Sequence, residues 1–172
     1  GRSLGAAWYL PEERQLTTTE QMKDEICAAL GGRAAESLFF DKVSTGALSD
    51  LEKVTKQAYA MVSIYGLSQK LGNISYYDSS GQNTGFTKPY SEERAKLIDS
   101  EVSSLIEEQY NRALSVLKKN KKKVEELAND LLTNEVIFKD NLISIFGARK
   151  WKSYDEEKLE ETDSKTTKKK SS

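Results

Sequence analysis

Few residues of this chain could carry out chemistry, and Asp50 is the most notable of them. It follows the turn Ser44-Thr45-Gly46 and falls in the first turns of the helix that this turn predicts. A carboxylate at that position interacts favourably with the helix dipole, an effect of ~0.3–1 kcal/mol. The residues alone therefore leave open whether Asp50 only stabilises the helix or belongs to a binding or reaction site.

Two further candidates, Glu36 and Cys27, lie on the helix predicted before this turn. Glu36 is near the C-terminal end of that helix, where an acid gains nothing from the helix dipole, so exposure to solvent is its ordinary interpretation. Cys27 lies beside an apolar helix face without a histidine to activate it. We therefore interpret it as a small core residue.

The absence of histidine restricts the chemistry further. The 172 residues include no histidine and one cysteine. For the chain acting alone, this excludes Ser–His and Cys–His nucleophilic catalysis, histidine acid–base chemistry and histidine metal sites. A single cysteine also excludes an internal disulfide and a cysteine-only zinc site.

The charge pattern argues against nucleic acid as the main partner. Lys and Arg number 26 against 27 Asp and Glu, a net charge of -1. A global attraction to nucleic acid is therefore not expected. Five lysines at 118–123 are best interpreted as a solvated surface, with a patch for nucleic acid or anionic lipid as the alternative. No run of 18 apolar residues is present.

Apolar residues at helical spacing predict a mainly α fold, a bundle of about five helices with a small β element. The predicted helices cover 22–38, 48–65, 91–118, 124–132 and 142–146. Thr18, Ser44 or Thr45, and Ser91 are the predicted N-caps. Gly31-Gly32 inside the first helix predicts that another backbone approaches closely there.

The predicted β element and the C-terminal tail complete the organisation of the chain. The small β element is expected at residues 4–10 and 71–77. Residues 152–172 contain six lysines and six acids and almost no apolar residue, so they predict a disordered charged tail. One domain over 1–151 followed by that tail is the predicted organisation.

Several motifs in order resemble the peptidase domain of FtsH-type ATP-dependent zinc metalloproteases, the AAA proteases. They are the segment 1–11, Leu-Gly-Gly-Arg-Ala-Ala-Glu at 30–36, Val-Ser-Thr-Gly-Ala-Leu-Ser-Asp-Leu at 43–51, Pro-Tyr-Ser-Glu at 89–92, Ile-Asp-Ser-Glu-Val at 98–102 and Tyr-Asn-Arg-Ala at 110–113. The resemblance covers about 1–151. The sequence at 8–11 and 89–91 is most similar to the Bacteroidetes and mitochondrial branches.

The resemblance implies a zinc site to which this chain contributes only one ligand. In the family, a helix with His-Glu-x-x-His supplies two ligands and the catalytic glutamate, and it precedes the segment that matches residue 1. The third ligand is the Asp of Ser-Thr-Gly-Ala-x-x-Asp, which is Asp50 here. Glu36 matches an acid close to the site, and Thr45 and Gly46 belong to the same motif as Asp50. No catalytic residue is therefore expected in this chain.

The resemblance also implies a function for the parent protein. We expect the chain to be the C-terminal portion of a peptidase domain, cut after the zinc-binding helix, from a membrane-anchored zinc endopeptidase that degrades unfolded or membrane proteins. The parent is expected to bind Zn²⁺ in the complete domain and ATP in a separate module, and to form a homohexamer that acts on polypeptides and not on nucleic acid. Its upstream helices would anchor it to the membrane, with the peptidase domain in the bacterial cytoplasm or an organelle.

The chain by itself is expected to be soluble, to bind no catalytic zinc and to cleave nothing. The alternative is a natural histidine-free pseudopeptidase that acts as a structural or assembly module. A His-Glu-x-x-His sequence upstream in the same gene would distinguish the first interpretation from the second.

Overall fold

The computed structural model describes residues 16–76 and 89–149, and most of these residues are helical. Six α-helices lie in these residues: α1 (Thr19–Ala29), α2 (Gly31–Phe40), α3 (Leu48–Tyr59), α4 (Glu92–Lys119), α5 (Lys121–Asn134) and α6 (Lys139–Phe146). The predicted mainly α fold is confirmed. The predicted strand at 4–10 and the predicted tail at 152–172 lie outside the described residues.

The chain divides into two compact units, and each is described by itself. The first, Thr17–Val124, contains α1 to α4. The described residues of the second are Leu16 and 125–149, which contain most of α5 and all of α6. The predicted domain boundary at 151 lies outside the described residues and stays a prediction. Within residues 16–76 and 89–149, no helix is both long enough and apolar enough to cross a bilayer.

Side-chain caps begin the helices at the positions that the sequence predicts. The Thr18 hydroxyl accepts a hydrogen bond from the Gln21 amide (3.3 Å), and the Gln21 side chain accepts one from the Thr18 amide (2.8 Å). The Ser91 hydroxyl accepts from the Arg94 amide at the start of α4 (3.2 Å). These bonds satisfy amides that have no partner inside the helix, which is why serine and threonine are favoured there.

The helix predicted over 22–38 is two helices in the structure, joined at Leu30, and this raises the number of helices above the predicted five. Leu30 has φ -77° and ψ -6°, a local departure from helical geometry. Gly31 and Gly32 follow it and have low helix propensity, which favours a break there. The predicted close backbone approach at these glycines is not found among the described residues, since a Cβ atom at either would meet none of their atoms within 4 Å.

The helix predicted over 48–65 begins and ends close to its predicted limits, but its last turn is π-helical and not α-helical. After α3 the chain makes one wider π-helical turn, Ala60–Ile64. Gly66 then adopts the left-handed conformation with φ 64°, as predicted for a residue that ends a helix. A Cβ atom at Gly66 would lie 3.3 Å from the backbone oxygen of Ile74, so both conformation and space favour glycine.

The β element predicted at 71–77 is not found in its described residues, 71–76. The Tyr76 amide donates to the Ser63 carbonyl (2.8 Å), and the Ile74 amide donates to the Gly72 carbonyl (2.9 Å). These local bonds use backbone groups that a strand would pair with a neighbouring strand. Gly72, with φ 77°, also lies outside the extended region.

The core of the first unit is built from α1, α3 and α4. Ile26, Val54 and Ile98, one from each helix, have at most 1% of their surface exposed. The buried cluster consists of Met22, Ile26, Leu30, Val54, Ala58, Met61, Val62, Leu71, Ile98 and Val102. Because α3 contributes to this core, the turn that leads into α3 is attached to a rigid element.

The second unit is held by polar contacts in its described part. The Asn141 side-chain oxygen accepts from the Phe138 amide (3.0 Å) and caps α6. The Asn141 side-chain nitrogen donates to the Asp130 carboxylate of α5 (3.4 Å). No residue of α5 or α6 is buried.

Candidate functional site

The turn that leads into α3 begins at Ser44. Ser44 is extended, with φ -113° and ψ 176°, and its hydroxyl accepts a hydrogen bond from the Gly46 amide (3.1 Å). Thr45–Ala47 form a single 3-10 turn, and α3 starts at the next residue. Ser44, one of the two residues predicted to cap the following helix, is thus the N-cap of this 3-10 turn. The N-cap of α3 itself is Ala47, which makes no side-chain capping bond.

Helix α2 contacts this same serine through two side chains. Glu36 accepts from the Ser44 hydroxyl through Oε1 (2.6 Å) and from the Ser44 amide through Oε2 (3.0 Å). The Arg33 guanidinium donates to the Ser44 carbonyl (2.8 Å). One helical turn of α2 therefore binds every backbone and side-chain polar group of Ser44, since Arg33 and Glu36 lie three residues apart on the same face.

These contacts change the acidity of Glu36. The hydrogen bond from the Ser44 hydroxyl, followed by the bond from the Ser44 amide, lowers the pKa of Glu36, and the nearby positive charge of Arg33 adds to the effect. Hydrogen bonds to the charged form of a carboxyl group favour that form. Glu36 is therefore held as a carboxylate that accepts hydrogen bonds.

Gly46 and Thr45 lie in the turn, and both are exposed. A Cβ atom at Gly46 would lie 3.2 Å from the Ser44 hydroxyl oxygen, the atom that receives the Gly46 amide. A larger residue would press on that hydroxyl, so glycine leaves room for the cap. The Thr45 carbonyl accepts the Leu48 amide and so links the turn to α3.

Asp50 lies in the first turn of α3 and is exposed to solvent. Its carboxylate makes no hydrogen bond or ion pair with another described residue. The helix N-terminus favours a negative charge at this position. The carboxylate oxygens of Asp50 are therefore available to bind a group from outside residues 16–76 and 89–149.

The structure thus connects the residues singled out in the sequence, with one addition. Glu36 contacts the turn that contains Thr45 and Gly46, and Asp50 follows this turn on α3. Arg33 was not predicted. The three-residue spacing of Arg33 and Glu36 indicates that they share one helix face. Their common partner, Ser44, is eleven and eight residues away and could not be predicted from helical spacing.

Cys27 and the lysine cluster lie outside this arrangement. Burial raises the pKa of the Cys27 thiol, and the thiol is half-buried, which supports its interpretation as a packing residue. In the lysine cluster, Lys118 and Lys119 end α4, where cations favour the helix dipole, and the Lys121 ammonium lies 5.5 Å from the centre of the Phe39 ring.

A zinc ion in a protein needs three or four ligands, and the described residues do not supply such a set. Within residues 16–76 and 89–149, no three His, Cys, Asp or Glu residues are grouped so that they could hold a metal ion. Asp50 offers a single carboxylate, exposed and without a partner among these residues. One carboxylate alone does not make a zinc site.

Comparison with known proteins identifies the family. Residues 1–145 match peptidase family M41. The chain is 61% identical to the ATP-dependent zinc metalloprotease FtsH of Parabacteroides distasonis over 93% of this chain and 23% of the relative. It is 47% identical to the FtsH of Rhodothermus marinus over 88% of this chain and 22% of the relative.

A mitochondrial relative is also similar. The mitochondrial inner membrane m-AAA protease component AFG3L1 of Mus musculus is 45% identical over 95% of this chain and 21% of the relative. The chain spans less than a quarter of the length of these relatives. The predicted resemblance to the Bacteroidetes and mitochondrial branches is confirmed. The match over 145 residues and these identities establish that the chain belongs to peptidase family M41, the family of the FtsH-type metalloproteases.

Proposed function

We propose that this chain is the C-terminal portion of the peptidase domain of an ATP-dependent zinc endopeptidase, and that Asp50 is the third zinc ligand of that domain. The observation that carries the proposal is the exposed Asp50 carboxylate, without a partner among the described residues, at the start of α3 in a chain that matches peptidase family M41. The names of the relatives include "ATP-dependent zinc metalloprotease", which supports this assignment.

The proposed role of Asp50 agrees with the chemistry of zinc. Carboxylate oxygens bind zinc, and two imidazoles with one carboxylate leave a position open for water or substrate. When bound, the ion supplies Lewis acidity at the peptide carbonyl. This chain contributes the carboxylate and the turn that positions it, while the two imidazoles and the catalytic glutamate are proposed to lie upstream of residue 1.

The remaining parts of the proposal concern the parent protein. We propose that it is anchored in a membrane by helices outside this chain, binds ATP in a separate module, assembles as a homohexamer and acts on polypeptides. The relatives are more than four times as long as the region that this chain matches, which leaves room for such modules.

The first experiment uses this chain by itself, residues 1–172. Purified chain is incubated with casein and Zn²⁺, and its bound metal is measured after dialysis. We expect no cleavage and much less than one zinc per chain, because one carboxylate does not hold zinc. Zinc-dependent cleavage of casein by this chain alone would overturn the proposal that its active site is completed from outside.

The second experiment uses the longer gene product that contains the residues upstream of residue 1. Asp50→Asn is expected to abolish zinc-dependent casein cleavage and to release the metal. Asp140→Asn is the matched control, since Asp140 also lies in the first turn of a helix and is exposed. Full zinc content in the Asp50 variant would refute the ligand role. If the upstream sequence lacks His-Glu-x-x-His, a pseudopeptidase that serves assembly replaces the protease assignment.

A further inference from the structure

We propose that Arg33 and Glu36 are positioning residues, which hold the Ser44 turn and through it Asp50 in place before any metal is bound. This inference rests on the proposed function for the role of Asp50. The hold on the turn itself is a property of this chain and can be tested without metal.

The first support is the completeness of the contacts at Ser44. Glu36 receives both the amide and the hydroxyl of Ser44, at 3.0 Å and 2.6 Å, and Arg33 donates to its carbonyl at 2.8 Å. An ordinary N-cap needs only a side-chain oxygen that accepts from the backbone. Here the Ser44 hydroxyl also donates a hydrogen bond to Glu36, while the hydroxyl oxygen accepts one from the Gly46 amide. The acid therefore sets the orientation of the cap.

The second support is that residues 16–76 and 89–149 provide no other anchor for the segment 41–46. Residues 41–46 are all exposed, and the first buried residue after α2 is Ala47. Asp41, which ends α2, has a left-handed φ of 51°. Exposed loops without apolar contacts are mobile unless hydrogen bonds restrain them. The bonds from Arg33 and Glu36 are the restraints that the structure provides there.

The third support is that the helix carrying these two residues is itself fixed. Ala34, between them in sequence, has 0% of its surface exposed, and α2 packs against α4. A carboxylate and a guanidinium on a fixed helix form charge-assisted hydrogen bonds, which are stronger than bonds between neutral groups. The turn is thus attached to the packed part of the first unit.

Asp50 depends on this attachment because its own side chain has no described partner. Its position is set by the packing of α3 in the core and by the 3-10 turn Thr45–Ala47, which joins α3 to Ser44. A metal ligand that is held in place before binding loses little conformational freedom when the ion arrives. We therefore expect the contacts at Ser44 to affect metal affinity although neither Arg33 nor Glu36 touches the metal.

The first test measures amide hydrogen exchange in the metal-free chain by NMR. In Glu36→Gln, exchange at Ser44 and Gly46 is expected to accelerate at least ~10-fold, because a charge-assisted bond is lost. Glu52→Gln is the matched control: Glu52 is another glutamate with a lowered pKa, but its partner is Lys56 on the same helix. Unchanged exchange at Ser44 and Gly46 in the Glu36 variant would overturn the proposal.

Protection of the α4 amides in the same spectra reports whether the variant is folded. Should Glu36→Gln unfold the chain, Arg33→Gln replaces it, since that change removes only the bond to the Ser44 carbonyl. A smaller acceleration confined to residues 44–48 supports the proposal, and acceleration spread evenly over α1 to α4 contradicts it.

The second test measures Zn²⁺ affinity and the absorption spectrum of bound Co²⁺ in the longer gene product. Glu36→Gln is expected to weaken Zn²⁺ binding ~10–100-fold and to alter the Co²⁺ spectrum, while Glu52→Gln does neither. A loosened turn with unchanged affinity and spectrum would refute the positioning role. Unchanged affinity in Asp50→Asn would refute the proposed function instead, so the two failures can be distinguished.

Discussion

The Glu36 carboxylate joins the candidate site to the pH dependence of folding. Its hydrogen bonds with Ser44 lower its pKa in the folded chain below the ordinary value of 4.5. A carboxyl group whose pKa is lower in the folded state stabilises the fold above its unfolded pKa, and this stabilisation is lost as the pH falls through the folded pKa. Glu36 therefore contributes fully at pH 7 and loses its contribution below about pH 4.5.

A comparison of two chains checks this pH dependence. Glu36→Gln is expected to be less stable than the unmodified chain at pH 7, and the difference in the free energy of unfolding should shrink as the pH falls below 4.5. Urea unfolding between pH 3 and pH 7 measures it. Other carboxyl groups titrate equally in both chains, so the difference isolates Glu36. A constant difference down to pH 3 would contradict the pKa shift.

Asp50 is expected to matter little for stability, in contrast to Glu36. It is exposed and has no partner among the described residues, so it contributes only through the dipole of α3, ~0.3–1 kcal/mol. Asp50→Asn should lower the free energy of unfolding of this chain by no more than that amount, and Asp140→Asn should behave similarly. Thermal or urea unfolding measures both. A loss above about 2 kcal/mol would show that Asp50 has a structural role.

Among the helices, the break between α1 and α2 provides the sharpest prediction. Gly32 is helical and exposed, and a Cβ atom there would meet no described atom within 4 Å. Gly32→Ala is therefore expected to stabilise the chain by ~0.5–1 kcal/mol, because alanine loses less conformational entropy in a helix. The measurement is the free energy of unfolding in urea.

Gly66→Ala is the control for that substitution. Gly66 has φ 64°, and a Cβ atom there would crowd the Ile74 carbonyl at 3.3 Å. The same change should therefore destabilise the chain by about 1–2 kcal/mol. Equal effects at the two positions would mean that the local backbone does not determine the outcome.

For the helices, the sequence predicts the features that depend on nearby residues, such as N-caps, and misses those that depend on distant contacts. Thr18, Ser44 and Ser91 could be recognised as caps, because a hydroxyl at a helix start satisfies amides two or three residues away. The helices themselves were predicted from apolar residues at helical spacing, and each predicted helix has a counterpart in the structure, although the first is divided into α1 and α2. The break at Leu30 depends on whether the low helix propensity of Gly31 and Gly32 outweighs the packing energy of a continuous helix. The spacing of apolar residues is the same in both cases, so it does not predict the break.

The candidate site shows the same division. The family motif links Asp50 to the turn that contains Thr45 and Gly46, and the structure adds that α2 holds this turn through Ser44. Arg33 was missed because its partner is a backbone carbonyl eleven residues away, and any residue type would provide such a carbonyl. The contact depends on the angle between α2 and the turn, which only the folded chain fixes.

For the molecule as a whole, the two units differ in what stabilises them. The first has a core of ten buried apolar residues from α1, α3, α4 and the segments next to them. In the described part of the second, no residue of α5 or α6 is buried, and Leu132 and Phe138 are 81% and 71% exposed. Burial of apolar surface is the main source of folding free energy. The second unit should therefore open more easily than the first.

Native-state hydrogen exchange tests this difference. Amides of α6, and of α5 from Glu125 onward, are expected to exchange at least ~10-fold faster than those of α3 and α4, because local opening of the second unit exposes little additional apolar surface. The NH groups at the middle of α4, around Val102, should require global unfolding. Equal protection across α3 to α6 would contradict the prediction, since it would mean that α5 and α6 unfold only together with the core of the first unit.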